Sequence, residues 1–458
     1  MITFERDMDS SLSPQFSFPL EDPSNTISFN ADSSGWVNAY TYFAAYDVAV
    51  SSEVIDSVDF RIEAGMDEDS IVQEPFVAAD LFYIETEKPD VQALTANDIQ
   101  LSLADTGQAA LRLILIFSEP MRQSGMPLSF PVENPLAKSL SLDTANTFWI
   151  NSMYFQATYH LADSSETLTD IDVRISGLKD LAGNPLDTTD YPDAFSIDTE
   201  KPLVSSLSPN VQVVSDPDTG SATFRLRIQF GEAMDRFSLP VVSFPNENPL
   251  ANSLIPNPAN SRWIAPEVWE AAFDVVDANE TLDNIDVQVA MAFDAFQNPM
   301  DTFTVVDVFH IDSENPMVTA LAAGTDTIRI EDAGLATFQL LFSFSEDMDQ
   351  NSIPVADFPA ENPLSISLSL NTDSSRWLDP TTFEARYDVS DSANSLMDID
   401  VGLALATDLA QNNLLPFVQP DVFNIDIRDT TTVGIEETLA NGSDGVRVSQ
   451  PVVPGQSP

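Results

Sequence analysis

One phrase of sequence decides the fold, and its clearest copy runs from FSEPM (117–121) through YFQATYHL (154–161) to FSIDTEKP (195–202). Within YFQATYHL, polar residues alternate with Phe, Ala, Tyr and Leu, which predicts a half-buried β-strand. Turn-forming stretches such as DLAGNP (180–185) separate this strand from other short strand-like segments. Roughly seven such strands in each copy of ~113 residues predict an antiparallel β-sandwich.

The phrase recurs along the chain, so the sequence is a tandem repeat. Each copy carries a tryptophan, which we expect to pack in the core between two sheets, although an exposed tryptophan could also stack on a sugar. These tryptophans are Trp36, Trp149, Trp263 and Trp377, separated by 113 or 114 residues. The repeat predicts an incomplete first module (1–89), three complete modules (90–202, 203–316 and 317–428) and a C-terminal tail (429–458).

The repeated motifs resemble those of a known family. F-S-E-x-M near the start of a copy, D-x-A-G-N-P near its end and I-D-T-x-x-P at the junction look like the tandem bacterial Ig-like repeats of large surface adhesins and other exported proteins. The resemblance covers residues 1–428 and implies an all-β array of Ig-like sandwich modules in an elongated rod. It also implies a stalk, filament subunit or adhesin outside the cell. The first copy departs from the motif, with Asp67, Glu68 and Asp69 in place of D-x-A-G-N.

The tail has a different composition. VGIEE (433–437), followed by VRVSQPVVPGQS (446–457), resembles the start of the C-terminal sorting domain of proteins exported by the type IX secretion system of Bacteroidota. Ser449 and Gln450 stand where that family has Tyr and Pro. A linker with one strand is the alternative interpretation of this segment.

Composition excludes several classes of function. The chain has 18 Lys and Arg against 73 Asp and Glu, a formal net charge of −55, which repels nucleic acids and anionic membrane surfaces. It has no Cys, and its apolar runs are far shorter than the ~20 residues of a membrane span. No hydrolase, zinc-protease or phosphate-loop motif occurs, and His160 and His310 do not recur in every copy. We therefore expect no catalytic site.

Carboxylates gather at the ends of the copies, and Ca²⁺ takes six to eight oxygens from carboxylates and carbonyls. In adhesins similar to this chain, junctional carboxylates hold Ca²⁺ and stiffen the rod, so the resemblance implies calcium as a cofactor. Solvated acidic surface and Asx turns are the alternative interpretation. The candidate ligands are Asp198, Glu200, Asp312 and Glu314 at the junctions, and Asp180, Asp294 and Asp408 in the DLAGNP-type loops.

The first module lacks a counterpart of residues 90–114, which would hold its opening strand and most of the next one. Truncation of a longer chain, a degenerate first module and completion by another subunit are all open. In the third case, the strand-like pieces TTVGIEETLA (431–440) and GVRVSQPVV (445–453) of the tail would complete another copy and build a head-to-tail filament. The expected partners are therefore other copies of the chain or ligands on a host or cell surface.

Two further functions fit the same sequence. One is an array of carbohydrate-binding or other ligand-binding modules, and the other is an accessory region of a larger secreted enzyme. Ig-like modules serve in all of these roles, so the motifs predict fold better than function.

Overall fold

The computed structural model describes residues 1–428, which form four consecutive groups of β-strands, here called modules 1 to 4 (residues 1–89, 90–202, 203–316 and 317–428). Within this part of the chain, every pairing between strands lies inside one module. Hydrogen bonds that join two modules, such as Lys88 to Asp187 and Leu103 to Asn298, connect neighbours in the sequence. The predicted tandem array of antiparallel β-sandwich modules is confirmed. The two predictions for the tail concern residues 429–458 and lie outside the described residues.

The strands are numbered β1 to β35 along the described residues, and modules 2, 3 and 4 share one order of strands. Module 1 contains β1 (Ile2–Thr3), β2 (Gln15–Ser17), β3 (Ile27–Phe29), β4 (Gly35–Asn38), β5 (Thr41–Phe43), β6 (Tyr46–Val48), β7 (Val54–Glu63) and β8 (Phe76–Glu85). Module 2 contains β9 (Val91–Ala96), β10 (Gln100–Leu101), β11 (Gly107–Phe117), β12 (Leu128–Ser129), β13 (Leu140–Leu142), β14 (Phe148–Asn151), β15 (Tyr154–Leu161), β16 (Thr167–Ile175) and β17 (Thr189–Asp198). Module 3 contains β18 (Val204–Pro209), β19 (Val213–Val214), β20 (Gly220–Phe230), β21 (Val241–Ser243), β22 (Leu254–Pro256), β23 (Arg262–Ala265), β24 (Val268–Val275), β25 (Thr281–Ala290) and β26 (Phe303–Asp312). Module 4 contains β27 (Val318–Ala323), β28 (Thr327–Arg329), β29 (Gly334–Phe344), β30 (Val355–Asp357), β31 (Leu368–Leu370), β32 (Arg376–Asp379), β33 (Thr382–Val389), β34 (Ser395–Ala404) and β35 (Phe417–Asp426).

Short 3-10 helices of three residues connect some of these strands. They span Pro23–Asn25, Leu103–Asp105, Pro135–Ala137, Asp216–Asp218, Pro249–Ala251, Ile330–Asp332 and Pro363–Ser365. Among residues 1–428, no helix is long and apolar enough to cross a membrane.

Each complete module is a sandwich of two sheets. In module 2 one sheet has the order β13-β15-β11-β9, with β14 also paired to β15, and the other has the order β10-β17-β16-β12. All these pairs are antiparallel except β10, whose two residues run parallel to β17. The sequence predicted about seven strands because segments of two residues, such as β10 and β12, are too short to show an alternating pattern.

The alternation seen in the sequence builds the core. In β11 every second side chain faces the opposite sheet, and Leu111, Leu113, Leu115 and Phe117 are fully buried there. Burying one such leucine contributes about 1.5–3 kcal/mol of transfer free energy. Gly107 begins β11 with φ of 140°, a conformation that favours glycine, and glycine occupies the same place in β20 and β29.

The tryptophans lie at the rim of the core, not at its centre. Trp263 is half-buried, packs against Phe230 with ring centroids 5.7 Å apart, and donates its indole N–H to the Ser238 carbonyl at 3.3 Å. Trp377 makes the equivalent bond to Ser352 at 3.0 Å. The expected position between the two sheets is therefore wrong in detail: the rings are partly exposed, and the aromatic rings that they contact, such as Phe230 for Trp263, belong to strands of the same sheet.

Candidate metal centres at the module junctions

Three groups of carboxylates lie where consecutive modules meet. In each group, one oxygen from each of three side chains lies within 4.8 Å of the others. We name them triad A (Glu85, Glu119 and Asp180), triad B (Asp198, Glu232 and Asp294) and triad C (Asp312, Glu346 and Asp408). Because the members of one triad are 113 or 114 residues from those of the next, the repeat itself produces the three sites.

Three different elements bring each triad together. In triad B, Asp198 ends the last strand of module 2, and Glu232 follows the long strand β20 of module 3. Asp294 lies in the loop after β25, where it forms an isolated antiparallel bridge with Met234. Each triad therefore combines one carboxylate from the preceding module with two from the following module.

An asparagine fixes the geometry beside each triad. Asn298 donates its side-chain amide to Asp294 Oδ2 at 2.8 Å and, across the junction, to the Asp198 carbonyl at 2.9 Å. The side-chain oxygen of Asn298 accepts a hydrogen bond from the Leu103 backbone N–H at 2.7 Å. Asn298 is fully buried, and Asp294 is fully buried beside it. This amide therefore holds the loop of one module against the end of the preceding module.

The equivalent asparagines differ in their surroundings. Asn412 is also fully buried, donates to the Asp312 carbonyl at 2.8 Å and accepts from the Asp216 N–H at 2.9 Å. Asn184 donates to Glu85 Oε2 at 2.5 Å but is only partly buried, because module 1 has no counterpart of the 3-10 helices that contain Leu103 and Asp216. A cavity of 220 Å³ lies at this junction, beside Glu85 and Glu119.

The electrostatics of the triads favour an added positive charge. Burial raises the pKa of Glu119, Glu232 and Glu346 to about 7, and the nearby carboxylates contribute to the rise. Burial likewise raises the pKa of Asp294 and Asp408. Each glutamate thus retains a proton to unusually high pH, and a cation would replace that proton.

The structure brings five of the seven predicted ligands into triads, namely Asp180, Asp198, Asp294, Asp312 and Asp408. Glu200 and Glu314 lie next to triads B and C but outside them, and both are exposed. Sequence reasoning missed Glu85 and the three glutamates of the F-[SG]-E-x-M motif, Glu119, Glu232 and Glu346. The recurrence of this motif glutamate in every complete copy is the signal that could have identified the three.

Both histidines have structural partners. His160 Nδ1 accepts a hydrogen bond from the Ala109 N–H at 3.0 Å, and Asp274 of module 3 accepts the equivalent bond from Ala222 at 2.7 Å. His310 Nδ1 accepts from the Asn284 N–H at 3.1 Å. Each histidine therefore stabilises irregular strand backbone; the counterparts of His310, Ser196 and Asn424, accept the same backbone bond in modules 2 and 4.

Comparison with known proteins finds similarity only among solved structures. No protein-family model matches the chain, and no curated protein matches it. The cadherin-like domains 1 to 4 of zebrafish RET align with 9% identity over 92% of this chain and 97% of that chain, at a TM-score of 0.25. The bacterial S-layer protein SbsC aligns with 10% identity over 76% of this chain and 55% of that chain, at a TM-score of 0.17. An endo-fucoidan hydrolase of glycoside hydrolase family 107 aligns with 10% identity over 69% of this chain and 39% of that chain, at a TM-score of 0.18. At these TM-scores the similarities carry no argument about function.

Proposed function

We propose that this chain is a non-catalytic structural protein of a bacterial cell surface, a stalk, filament subunit or adhesin, whose module junctions bind Ca²⁺. The observation that supports the proposal most directly is the recurrence of one carboxylate triad at three junctions. Each triad takes carboxylates from two modules, so a bound cation would connect them. The extracellular location follows from the resemblance to exported repeat proteins and is part of the proposal.

The donor set suits calcium. Ca²⁺ is a hard cation that prefers carboxylate and carbonyl oxygens, and no thiol or imidazole belongs to any triad. When all three carboxyl groups of a triad are ionised, their charges repel one another, whereas each of them attracts a divalent cation placed between them. Binding would therefore turn a local repulsion between modules into an attraction and stiffen the junction.

A structural role also agrees with the reactive groups present. Both histidines accept backbone hydrogen bonds. The clustered carboxylates are those of the triads, which recur at the junctions as part of the repeat. Enzymes need a nucleophile paired with a base, or a metal with an open position in a substrate pocket. The triads instead lie where two modules meet, so an ion bound there would hold the two modules together.

Counting bound ions tests the cation proposal. Titration of the full chain with Ca²⁺, over the ~10⁻⁴–10⁻³ M range typical of extracellular modules, should reveal three binding events, one per triad. Glu232→Gln should remove one event and lower the melting temperature in Ca²⁺. Glu200→Gln is the matched control, since it removes a charge beside triad B without removing a ligand. An ion count that Glu232→Gln leaves unchanged would contradict the proposal.

The cellular role requires a separate experiment. Protease treatment of intact cells should degrade the protein if it lies on the surface, while a cytoplasmic control protein should survive. Binding to a glycan array would favour the carbohydrate-binding alternative, because a stalk or filament subunit needs no sugar site. Protection of the protein from protease in intact cells would contradict the surface role.

A further inference from the structure

The larger sheet of module 2 contains no acidic residue. Its strands, β9, β11, β13, β14 and β15, hold no Asp or Glu, although the chain has 73 of them. The other sheet of the same module carries carboxylates on β16 and β17, namely Asp170, Asp172, Asp190, Asp193 and Asp198. The larger sheet is therefore the side of this sandwich on which a second, equally acidic copy of the chain meets the least repulsion.

The outer side of this sheet carries a group of apolar side chains. In β11, Ile114 and Ile116 alternate with fully buried leucines, so both face outward, and both are half-buried. Ile116 lies opposite Tyr154 of β15, and Ile114 lies opposite Gln156. Gln156 in turn lies opposite Phe148 of β14, which is 47% exposed. We call this group, with its exposed neighbour in β14, the apolar patch: Ile114, Ile116, Phe148, Ile150 and Tyr154.

The same place on module 3 carries an ion pair. Phe148 has the position of Arg262, and Gln156 has the position of Glu270. The guanidinium of Arg262 lies 3.9 Å from the carboxylate of Glu270, and the equivalent pair of module 4 is 3.5 Å long. Module 2 therefore keeps the strands of the repeat but replaces a charged outer face by an apolar one.

The polar groups beside the apolar patch already have partners. The amide of Gln156 donates to the Asn146 carbonyl at 3.0 Å, and the hydroxyl of Thr158 donates to the same carbonyl at 2.8 Å. A sugar or an ionic ligand is oriented by polar groups that converge on it. An apolar face is instead complementary to a second apolar face. In an isologous contact both copies supply the same patch, so this face meets its own match in a second copy.

The sheet is large enough for a specific contact. Four strands about 4.8 Å apart, of which β11 has 11 residues, present a face of roughly 15–20 Å by 36 Å. Two such faces in contact bury on the order of 1,200 Å², the lower end of the range for specific interfaces. Sheets packed in this way lie about 10 Å apart, so the side chains of the two patches would interdigitate.

We infer that two copies of this chain associate face to face through the larger sheet of module 2, with the apolar patch of each copy at the centre of the contact. Arg112 lies one pleat from Ile114 and is exposed, so it would belong to the polar rim of the interface. An isologous contact closes on itself and produces a dimer. The inference does not depend on calcium at the triads.

Variants that copy a residue of module 3 test the contact in the full chain. Phe148→Arg copies Arg262, which the repeat accommodates, and should raise the dissociation constant of the dimer more than ~10-fold in sedimentation velocity, because it places charge in the apolar contact. Ile114→Arg, which copies Arg227, should act in the same way and serves as a second variant if the first is unstable. Val132→Asn is the matched control. It copies Asn246 at a position that is 70% exposed in the loop after β12, and it should leave the dimer intact.

Three results would overturn the inference. The first is a wild-type chain that stays monomeric at all soluble concentrations, and the second is equal association of Phe148→Arg and Val132→Asn. The third is binding of a monomeric wild-type chain to a glycan array that Phe148→Arg abolishes, which would assign the patch to a sugar.

Salt dependence gives a further test. Each copy has a net charge of −55, so added NaCl should tighten the dimer by screening the repulsion between copies. Dissociation in high NaCl would mean that ion pairs hold the contact and would overturn the inference. The dimer should also form in EDTA, so a failure of the calcium proposal would appear in the ion count and not here.

Discussion

Modules 1 and 3 are copies of the same repeat, but module 1 lacks most of the strands that open module 3. Phe309 of module 3 is fully buried and packs against Phe224 with tilted rings whose centroids are 4.6 Å apart, whereas its counterpart Phe82 is half-buried beside a groove of 940 Å³. Phe224 belongs to β20, which has only the two-residue β1 as its counterpart in module 1. The difference shows that burial of a core residue depends on strands more than 80 residues away in the sequence.

The junctions repeat this contrast. Asn298 bonds with both the carbonyl of Asp198 and the N–H of Leu103, so two segments of module 2 hold it. Asn184 bonds with module 1 only through Glu85. The asparagine at the junction between modules 1 and 2 is therefore held by one segment of the preceding module, whereas Asn298 is held by two.

The largest expected effect is in the core. Phe309→Ala should destabilise module 3 by about 3–5 kcal/mol, since it leaves a cavity in a closed core. Phe82→Ala should cost module 1 about half as much, because solvent already reaches that ring. Hydrogen exchange measured by mass spectrometry on β25–β26 and β7–β8 peptides resolves the two modules. Equal losses of protection would show that the groove is closed in solution.

Removal of the junction amides should have the next largest effect. Asn298→Ala leaves buried groups of two modules without partners and should cost about 2–3 kcal/mol at that junction. Asn184→Ala should cost about 1 kcal/mol, because its site is partly solvated. Faster exchange of the N–H groups of Leu103–Asp105 would report the loss in the first variant. Equal effects of both variants on junction exchange would refute the contrast between the two junctions.

The triad glutamates predict a dependence of stability on pH. Their pKa is about 7 in the folded chain against an ordinary 4.5, so in EDTA the folded state holds protons that the unfolded state has lost. Stability in EDTA should therefore fall as the pH rises through this interval, and saturating Ca²⁺ should abolish the fall. Calorimetric melting in both buffers checks this. Module 1, with Arg6 in place of the glutamate, should not show the fall.

Surface ion pairs should have the smallest effect and should not distinguish the junctions. Lys88 pairs with Asp187 at 2.8 Å, and Lys201 pairs with Asp301 at 2.6 Å. All four side chains are well exposed, so Lys88→Ala and Lys201→Ala should each cost less than about 1 kcal/mol. A larger loss in urea denaturation for either variant would mean that the lysine contributes more than a screened charge pair.

The sequence predicts the sandwich because alternation and turn motifs are local signals. YFQATYHL became β15 with Phe155, Ala157 and Leu161 buried, as its pattern indicates. The parallel pairing of β10 with β17 joins residues almost 100 positions apart, and two residues carry no periodic signal. The same limit applies to the triads. Asp294 was identified from its loop, but only the folded chain shows that Glu232 lies beside it.

The confinement of strand pairing to single modules has a consequence for how this chain can change over generations. Unequal recombination between two copies of the repeat would add or remove whole units of 113 or 114 residues. Deletion of residues 203–316, for example, would bring Asp198 to the place of Asp312, next to Glu346 and Asp408, and so rebuild a complete carboxylate triad. Because stability in such arrays is close to a sum over units and their nearest-neighbour contacts, length can drift without loss of folding. Natural selection can thus adjust the reach of the molecule by copy number alone.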